Sequence, residues 1–445
     1  MASQTQTETI VLQPRKTPTT DNAINDNESM HNSEQPGQNN EPPEDKWLYV
    51  KIISASFSFF VAGVNDGSLG SLIPYVLESY HIDTNMVVIV YGTTFLGWLF
   101  AALTNSTLCQ YLGLGALLSL GAALQILSHS LRAWLAPFPL YAITFFLASL
   151  GQAYNDTHAN TYVSSVKAAH RWLGFIHAMY MAGCLVGPFV STAIASADSR
   201  WNLFYLFPLG LAVVNLVLVA VAFRDRMWVS KSESYARSPG GRVESGRQRA
   251  LKEMKDTLSA PVVWLLSLYF FFFLGAAITA GGWVVEYLVK VRGGDLKDMG
   301  YVPTGLYGGS FLGRLVLAEP TYRLGERRMV FIYAILCVGL QLVFWLVPNI
   351  IVGAVAISLI GFFSGPFFVT GISIGSKIFP PEIRSSAIAF VFVLGQVGGA
   401  VFPALTGVIA ARAGVKVLQP IVLALLCATG ASWLLLPKTS GLRRE

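Results

Sequence analysis

The stretch Gly151-Gln-Ala-Tyr-Asn-Asp-Thr-His-Ala-Asn-Thr161 sets one carboxylate among amides, inside a segment, roughly residues 138–166, that is otherwise apolar enough to cross a bilayer. An ionisable residue at membrane depth is costly, and a chain that keeps one usually uses it. At about 100° per residue, Gln152, Asn155, Asp156 and Asn160 fall within roughly 140° of one helix face, with Ala159 among them, while His158 points away. Such a stripe suits a helix that lines a water-filled cavity for a polar solute. The alternative is a polar contact that only holds helices together, though one amide suffices for that.

A second acid, Asp66, follows Asn65 in an apolar segment interrupted by Gly63, Gly67 and Gly70. Glycine breaks at membrane depth free backbone groups that a cavity or a neighbouring helix must satisfy. A carboxyl withdrawn from water in such a cavity can load and release protons near neutral pH, so Asp156, with Asp66 as its partner, is the expected proton-coupling site. His177, Trp283 and Tyr287 are candidate substrate contacts beside Asn65, Gln152, Asn155 and Asn160, the aromatics by stacking on a ring. Each of these three could equally be packing. Gln341 and Gln396 are weaker candidates, and Glu286, near one end of its segment, is expected to be solvated. Arg314, Arg323, Arg327 and Arg328 are expected to latch helices together rather than touch substrate. The sequence has no nucleotide-binding glycine loop, nucleophile elbow or metal cluster, so neither an enzyme, a resident cofactor nor an ATP-driven pump is expected.

The elements that must position these residues are helical spans. The chain has 445 residues, 53% hydrophobic and only 13% charged, the balance of a polytopic membrane protein. The four cysteines lie in or beside apolar segments, without disulfide or metal spacing. Residues 1–46 are polar and predict a disordered tail rather than a cleavable signal. Apolar segments then run at approximately 47–76, 84–108, 116–135, 138–166, 168–196 and 202–223, and again at 260–289, 299–318, 329–347, 350–376, 384–411 and 419–437.

The hydrophilic break at 224–258 is rich in Arg and Lys, and such loops stay in the cytoplasm. Lys167, Arg171, Arg323, Arg327, Arg328, Lys377 and Arg384 fall on that same side. Glu78, Asp83, Asp198, Asp295 and Asp298 fall opposite. Both termini, including the tail at 438–445, are therefore expected in the cytoplasm. The net charge of +6 is accounted for by these loops, so no nucleic-acid partner is expected.

Sliding the chain by 212 positions lays Gly63 on Gly275, Gly70 on Gly282, Gly97 on Gly309, Gly113 on Gly325, Gly183 on Gly395 and Gly187 on Gly399. Six of the 14 glycines from Gly37 to Gly210 coincide, where chance gives between one and two. The fold class expected is all-α, with about twelve transmembrane helices in two six-helix halves at 47–223 and 259–437, related by an axis along the membrane normal. On the same slide Asp66 and Asp156 fall on Ile278 and Phe368, which concentrates the titratable groups in the first half.

Over roughly residues 47–437 the chain resembles the major facilitator superfamily. The second half carries a glycine-and-charge signature similar to the superfamily's, Gly309-Ser-Phe-Leu-Gly-Arg314 followed by Arg323-Leu-Gly-Glu-Arg-Arg328. The first half keeps only Gly97, Asn105 and Gln110-Tyr-Leu-Gly-Leu-Gly115. Gly183-Cys-Leu-Val-Gly-Pro188 resembles the fifth-helix motif of drug–proton antiporters without its closing glycines. Three stretches are similar to the fucose-permease-like branch, with its fungal members. These are Gly63-Val-Asn-Asp66 leading to Leu72-Ile-Pro-Tyr75, Asp156 four before Asn160-Thr-Tyr162, and Gly281-Gly-Trp283.

The resemblance implies a monomeric carrier in the plasma membrane, or a vacuolar or other internal one, that moves a small, sugar-like polar solute with protons by alternating access. Export of a secondary metabolite or toxic compound by proton antiport is the alternative, and a non-transporting receptor is the alternative of another class.

Overall fold

The computed structural model describes residues 47–167, 169–197, 200–228, 254–380 and 383–437. The tail at 1–46, the centre of the basic loop at 229–253, Asp198 and the segment 438–445 lie outside the described residues, with the expectations that concern them.

The apolar windows fold as helices at the expected places. The first six are α1 (Leu48–Tyr80), α2 (Val87–Tyr111), α3 (Leu114–Ala133), α4 (Phe138–Ser164), α5 (Ala169–Ala197) and α6 (Leu206–Ala222). After the basic loop come α7 (Pro261–Arg292), α8 (Val302–Val316), α9 (Glu326–Leu346), α10 (Ile350–Ser364), α11 (Phe367–Ile378), α12 (Arg384–Ala413) and α13 (Leu418–Leu435). The helices α10 and α11 are two parts of one crossing, interrupted at Gly365 and Pro366, where proline has no N–H to continue the ladder.

Ten crossings among the described residues are long and apolar enough to span a membrane by composition alone. The other two are α4, which carries the polar stripe, and α8, 15 residues long and ending near Arg314. Both are fixed by packing rather than by apolarity: α4 lies against α2 and α3, and α8 against α10 and α5. These two crossings carry Asp156 and Arg314, while Asp66 and Arg132 lie in crossings that qualify.

The internal repeat reappears in the packing. The extensive α1–α5 contact of the first half is matched by α7–α12 in the second. In the same way α3–α4 matches α9–α10, α2–α4 matches α8–α10, and α3–α6 matches α9–α13. The halves meet along α5–α8 and its symmetry mate α2–α12, and along α1–α7, which maps onto itself. This is the two-fold pseudo-symmetry that the glycine register implied.

Glycine is required where backbones touch. A Cβ on Gly63 of α1 would stand 2.0 Å from the Tyr180 carbonyl of α5, and one on Gly183 would stand 2.1 Å from the Phe60 carbonyl. Both obstacles are backbone and cannot swing aside. Gly63→Ala is therefore expected to cost about 1–3 kcal/mol through overpacking, read as a lower melting temperature in detergent. An unchanged melting temperature would mean that the helices slide apart at no cost.

Candidate functional site

Asp66 sits halfway along α1, only partly exposed, and three side chains donate to it. Gln152 Nε2 of α4 reaches Oδ2 at 2.8 Å, the Tyr180 hydroxyl of α5 reaches the same oxygen at 2.9 Å, and Asn65 Nδ2 reaches Oδ1 at 3.0 Å. One acid thereby ties α1, α4 and α5 together. Behind it lies Arg132 of α3, 1% exposed, whose Nη1 donates to Asn65 Oδ1 at 3.0 Å and whose Nε donates to Thr144 at 2.7 Å. The guanidinium carbon rests 3.7 Å from the centre of the Phe145 ring. Arg132 thus sets a fixed positive charge behind Asp66, one amide removed.

Asp156 lies one turn beyond Gln152 on the same face of α4 and is 9% exposed. Its Oδ1 has no hydrogen-bond partner among the described residues. Asp66 is close enough to repel it electrostatically. Two carboxyls therefore share one region of low dielectric: the first is satisfied by three donors, while the second holds an oxygen with none. Asn160, a further turn along, also has an unpartnered Oδ1.

The expected stripe is wider than the face that serves this region. Asn155 is fully buried against α3, where a Cβ on Gly121 would stand 2.4 Å from its Oδ1. Its placement is a correction: about 100° from Asp156 around the helix, it faces a neighbouring helix, with neither side-chain polar atom hydrogen-bonded among the described residues. His158 does point away, to Asn105 of α2 at 2.9 Å.

Two further corrections fall in α7. Trp283 is fully buried and donates to the Pro403 carbonyl at 3.0 Å, and Tyr287 is 2% exposed with its ring 5.8 Å from that of Phe344. Both are packed within the second half and present no free face to a solute. Glu286 is 3% exposed, not solvated, because α7 is packed among α12, α13 and α1. Gln341 is likewise used internally, donating to Gln419 at 2.6 Å.

His177 lies between the halves. Its ring meets Phe59 of α1 edge-on at 5.1 Å and Phe368 of α11 at 5.5 Å. Its main-chain carbonyl accepts from Arg314 Nη1 of α8 at 3.1 Å, and the guanidinium lies 5.8 Å from the Phe368 ring. Of the four arginines expected as a latch, Arg314 is the one that reaches across. Arg323 pairs with Glu319 in its own helical turn, Arg327 donates to the Leu434 carbonyl at 2.8 Å, and Arg328 is exposed. The acceptor is backbone, as the uncharged first half required.

Removing Arg314 takes away one charge-assisted bond, about 1.5–3 kcal/mol. Arg314→Ala is therefore expected to slow or unbalance the exchange between conformations by about tenfold or more while leaving solute preference unchanged. Unaltered rates in a well-expressed variant would exclude Arg314 from the cycle.

Three members of the site escaped the sequence reading. Arg132 met the same criterion as Asp156, a charge inside an apolar segment. Tyr180 lies three residues after His177, so the two share a helix face. Tyr307 of α8 lies against Gly281 and close enough to interact electrostatically with Asp66; nothing in the sequence separates it from the other 16 tyrosines of the 17 present.

An architecture of two pseudo-symmetric helical halves has counterparts. The family description "Major Facilitator Superfamily" matches residues 55–319 and 321–445. The chain belongs to the major facilitator superfamily. Among the relatives of this superfamily member, "Bypass of stop codon protein 6" of Saccharomyces cerevisiae is 27% identical over 413 residues, covering 87% of this chain and 82% of the yeast protein. The "Cis,cis-muconate transport protein" of Acinetobacter baylyi is 24% identical over 374 residues, covering 79% and 86%. In fold the chain is similar to the D-xylose-proton symporter, with a TM-score of 0.69, 14% identity and coverage of 89% and 99%. It is also similar to the outward conformation of FucP, with a TM-score of 0.63, 16% identity and coverage of 88% and 99%. The protein is therefore an integral multi-pass membrane transporter of this superfamily.

Proposed function

We propose that this transporter is a proton-coupled carrier of a small polar organic solute, working by alternating access, with Asp156 and Asp66 as the groups that carry the proton. The observation that carries the reading is Asp156 Oδ1, buried at membrane depth without a partner and set beside a second acid that already holds three donors. A bare negative charge in that position is costly, and a proton removes it. Entry of solute and proton together then allows the halves to rock about α1–α7, whereas either alone leaves a charge or an empty polar site in the way. Tyr180, Tyr307, Gln152, Asn160 and His177 are the groups proposed to meet the solute.

The basic loops are proposed to face the cytoplasm. A Ser238→Cys variant should stay unlabelled by an impermeant thiol reagent applied to intact cells, and labelling from outside would reverse the orientation. The plasma membrane is the proposed site of a carrier acting alone.

Purified carrier in liposomes, with the interior made alkaline, should accumulate at least one solute of a panel of D-xylose, L-fucose and cis,cis-muconate, compounds close to those named for the similar proteins. Collapse of the pH difference by a protonophore should abolish the accumulation. Saturable binding without flux would instead favour a receptor. Export by antiport has one observation in its favour: the fifth-helix stretch with Gly183 and Gly187 packs closely on α1, at the place where the antiporter motif lies. Accumulation with the opposite gradient would support it.

A further inference from the structure

Away from the basic loops the two halves are pressed together along a seam. A Cβ on Gly70 of α1 would stand 2.0 Å from the Gly281 carbonyl, and one on Gly282 would stand 2.2 Å from the Tyr91 hydroxyl of α2. Thr84, just before α2, donates to the Gly407 carbonyl of α12 at 3.0 Å, and Gly407 lies against the Trp283 indole. On the other flank the Phe189 and Tyr301 rings are 5.6 Å apart. The apolar core of the second half takes in Ile73, Val87 and Tyr91 of the first at this seam.

Glu286 stands inside it. It follows Gly282 by four residues and Trp283 by three, so its side chain leaves α7 between the directions of α2 and α12. The helices α2 and α7 meet through Tyr91 and Gly282, one turn before Glu286 on α7. The residue is 3% exposed, and Oε2 has no hydrogen-bond partner among the described residues.

The charge that acts on it is Lys290, one turn further along α7 and exposed to solvent. The other ionisable groups on the elements around the seam are Tyr91 on α2, His81 and Asp83 before it, and Tyr75, Glu78 and Tyr80 on α1. Arg412 and Lys416 flank the turn after α12, Arg292 ends α7, and Asp295, Lys297, Asp298 and Tyr301 follow it. A carboxyl in this place loses water when the seam closes and regains it when the seam parts.

We propose that Glu286 is a proton-sensing residue of the outer gate: with the carboxyl protonated the seam closes, and with it ionised the seam is held open. Acid on that side thus favours the closed arrangement, independently of the protons carried at Asp156. The proposal rests on the alternating-access reading for the opening of the seam, and on nothing about substrate or coupling.

The test is the distance between spin labels on Asn85→Cys and Lys416→Cys, both exposed positions flanking the seam. The full-length carrier is measured in lipid nanodiscs, with Cys109 and Cys427 replaced by Ala. As pH rises, the ratio of long to short distances should increase by up to about tenfold per pH unit, the limit for one linked proton. Glu286→Gln should hold the short distance at every pH, and Glu286→Asp, which keeps a titratable group, should restore the dependence. A titration in Glu286→Gln equal to that of the unsubstituted protein, or no titration in either, overturns the proposal. Asp156→Asn should leave this titration in place, so failure of the coupling reading and failure of the gate are separately visible.

Discussion

Asp156→Asn should abolish accumulation driven by a pH gradient and leave solute exchange across the membrane close to normal. The substitution keeps the volume and fixes the neutral state. Exchange of one solute molecule for another needs no net proton movement, so a carrier locked neutral still rocks when loaded. Coupled accumulation requires the group to lose its proton on one side, and Asn cannot. A structural group would behave otherwise: its loss would lower expression or slow both assays alike. The expected effect is the largest for any single side chain here, loss of the whole gradient-driven component. Full accumulation by Asp156→Asn would show that the carboxyl is structural.

The second large effect is expected at Arg132. Its guanidinium is 1% exposed, bonded to Asn65 and Thr144 and laid on Phe145. Hydrogen bonds to a charged group typically contribute about 1.5–3 kcal/mol each. Arg132→Met, which keeps much of the apolar stem, should therefore lower the melting temperature strongly. In whatever fraction folds, Asp66 loses the positive charge behind it. Arg132→Lys keeps that charge but loses the fork that serves Asn65 and Thr144 together, and should recover stability only in part. A melting temperature for Arg132→Met equal to that of the unsubstituted protein would mean that Asn65 and Asp66 do not depend on the arginine.

The fold was legible because membrane depth makes apolar length and small residues unusually informative. Twelve windows and six coincident glycines were sufficient, since a crossing has few forms and a close backbone contact admits only glycine. The site was legible where cost is one-dimensional, as at Asp66 and Asp156, whose charge has no place in an apolar span. It was illegible where direction mattered. Asn155 and Asp156 are neighbours in sequence, yet one faces α3 and the other faces Asp66. Trp283 and Tyr287 could be read as aromatic platforms only while the depth of their packing was unknown. Glu286 looked like a rim residue because it lies near one end of its segment, whereas packing against other helices leaves it 3% exposed. Arg132 was visible as a charge within the apolar segment at 116–135.

The central claim is that solute and proton cross together, with the proton carried on acids of the first half. It is tested most directly by the proton itself. Carrier is reconstituted in liposomes that hold a trapped pH indicator, with no imposed pH difference, and the solute of the panel that accumulated is added outside. The interior should acidify as the solute enters, and in Asp156→Asn liposomes the solute should exchange with no change in the indicator. Net entry of solute into unsubstituted liposomes at constant internal pH, or with alkalinisation, would contradict proton symport.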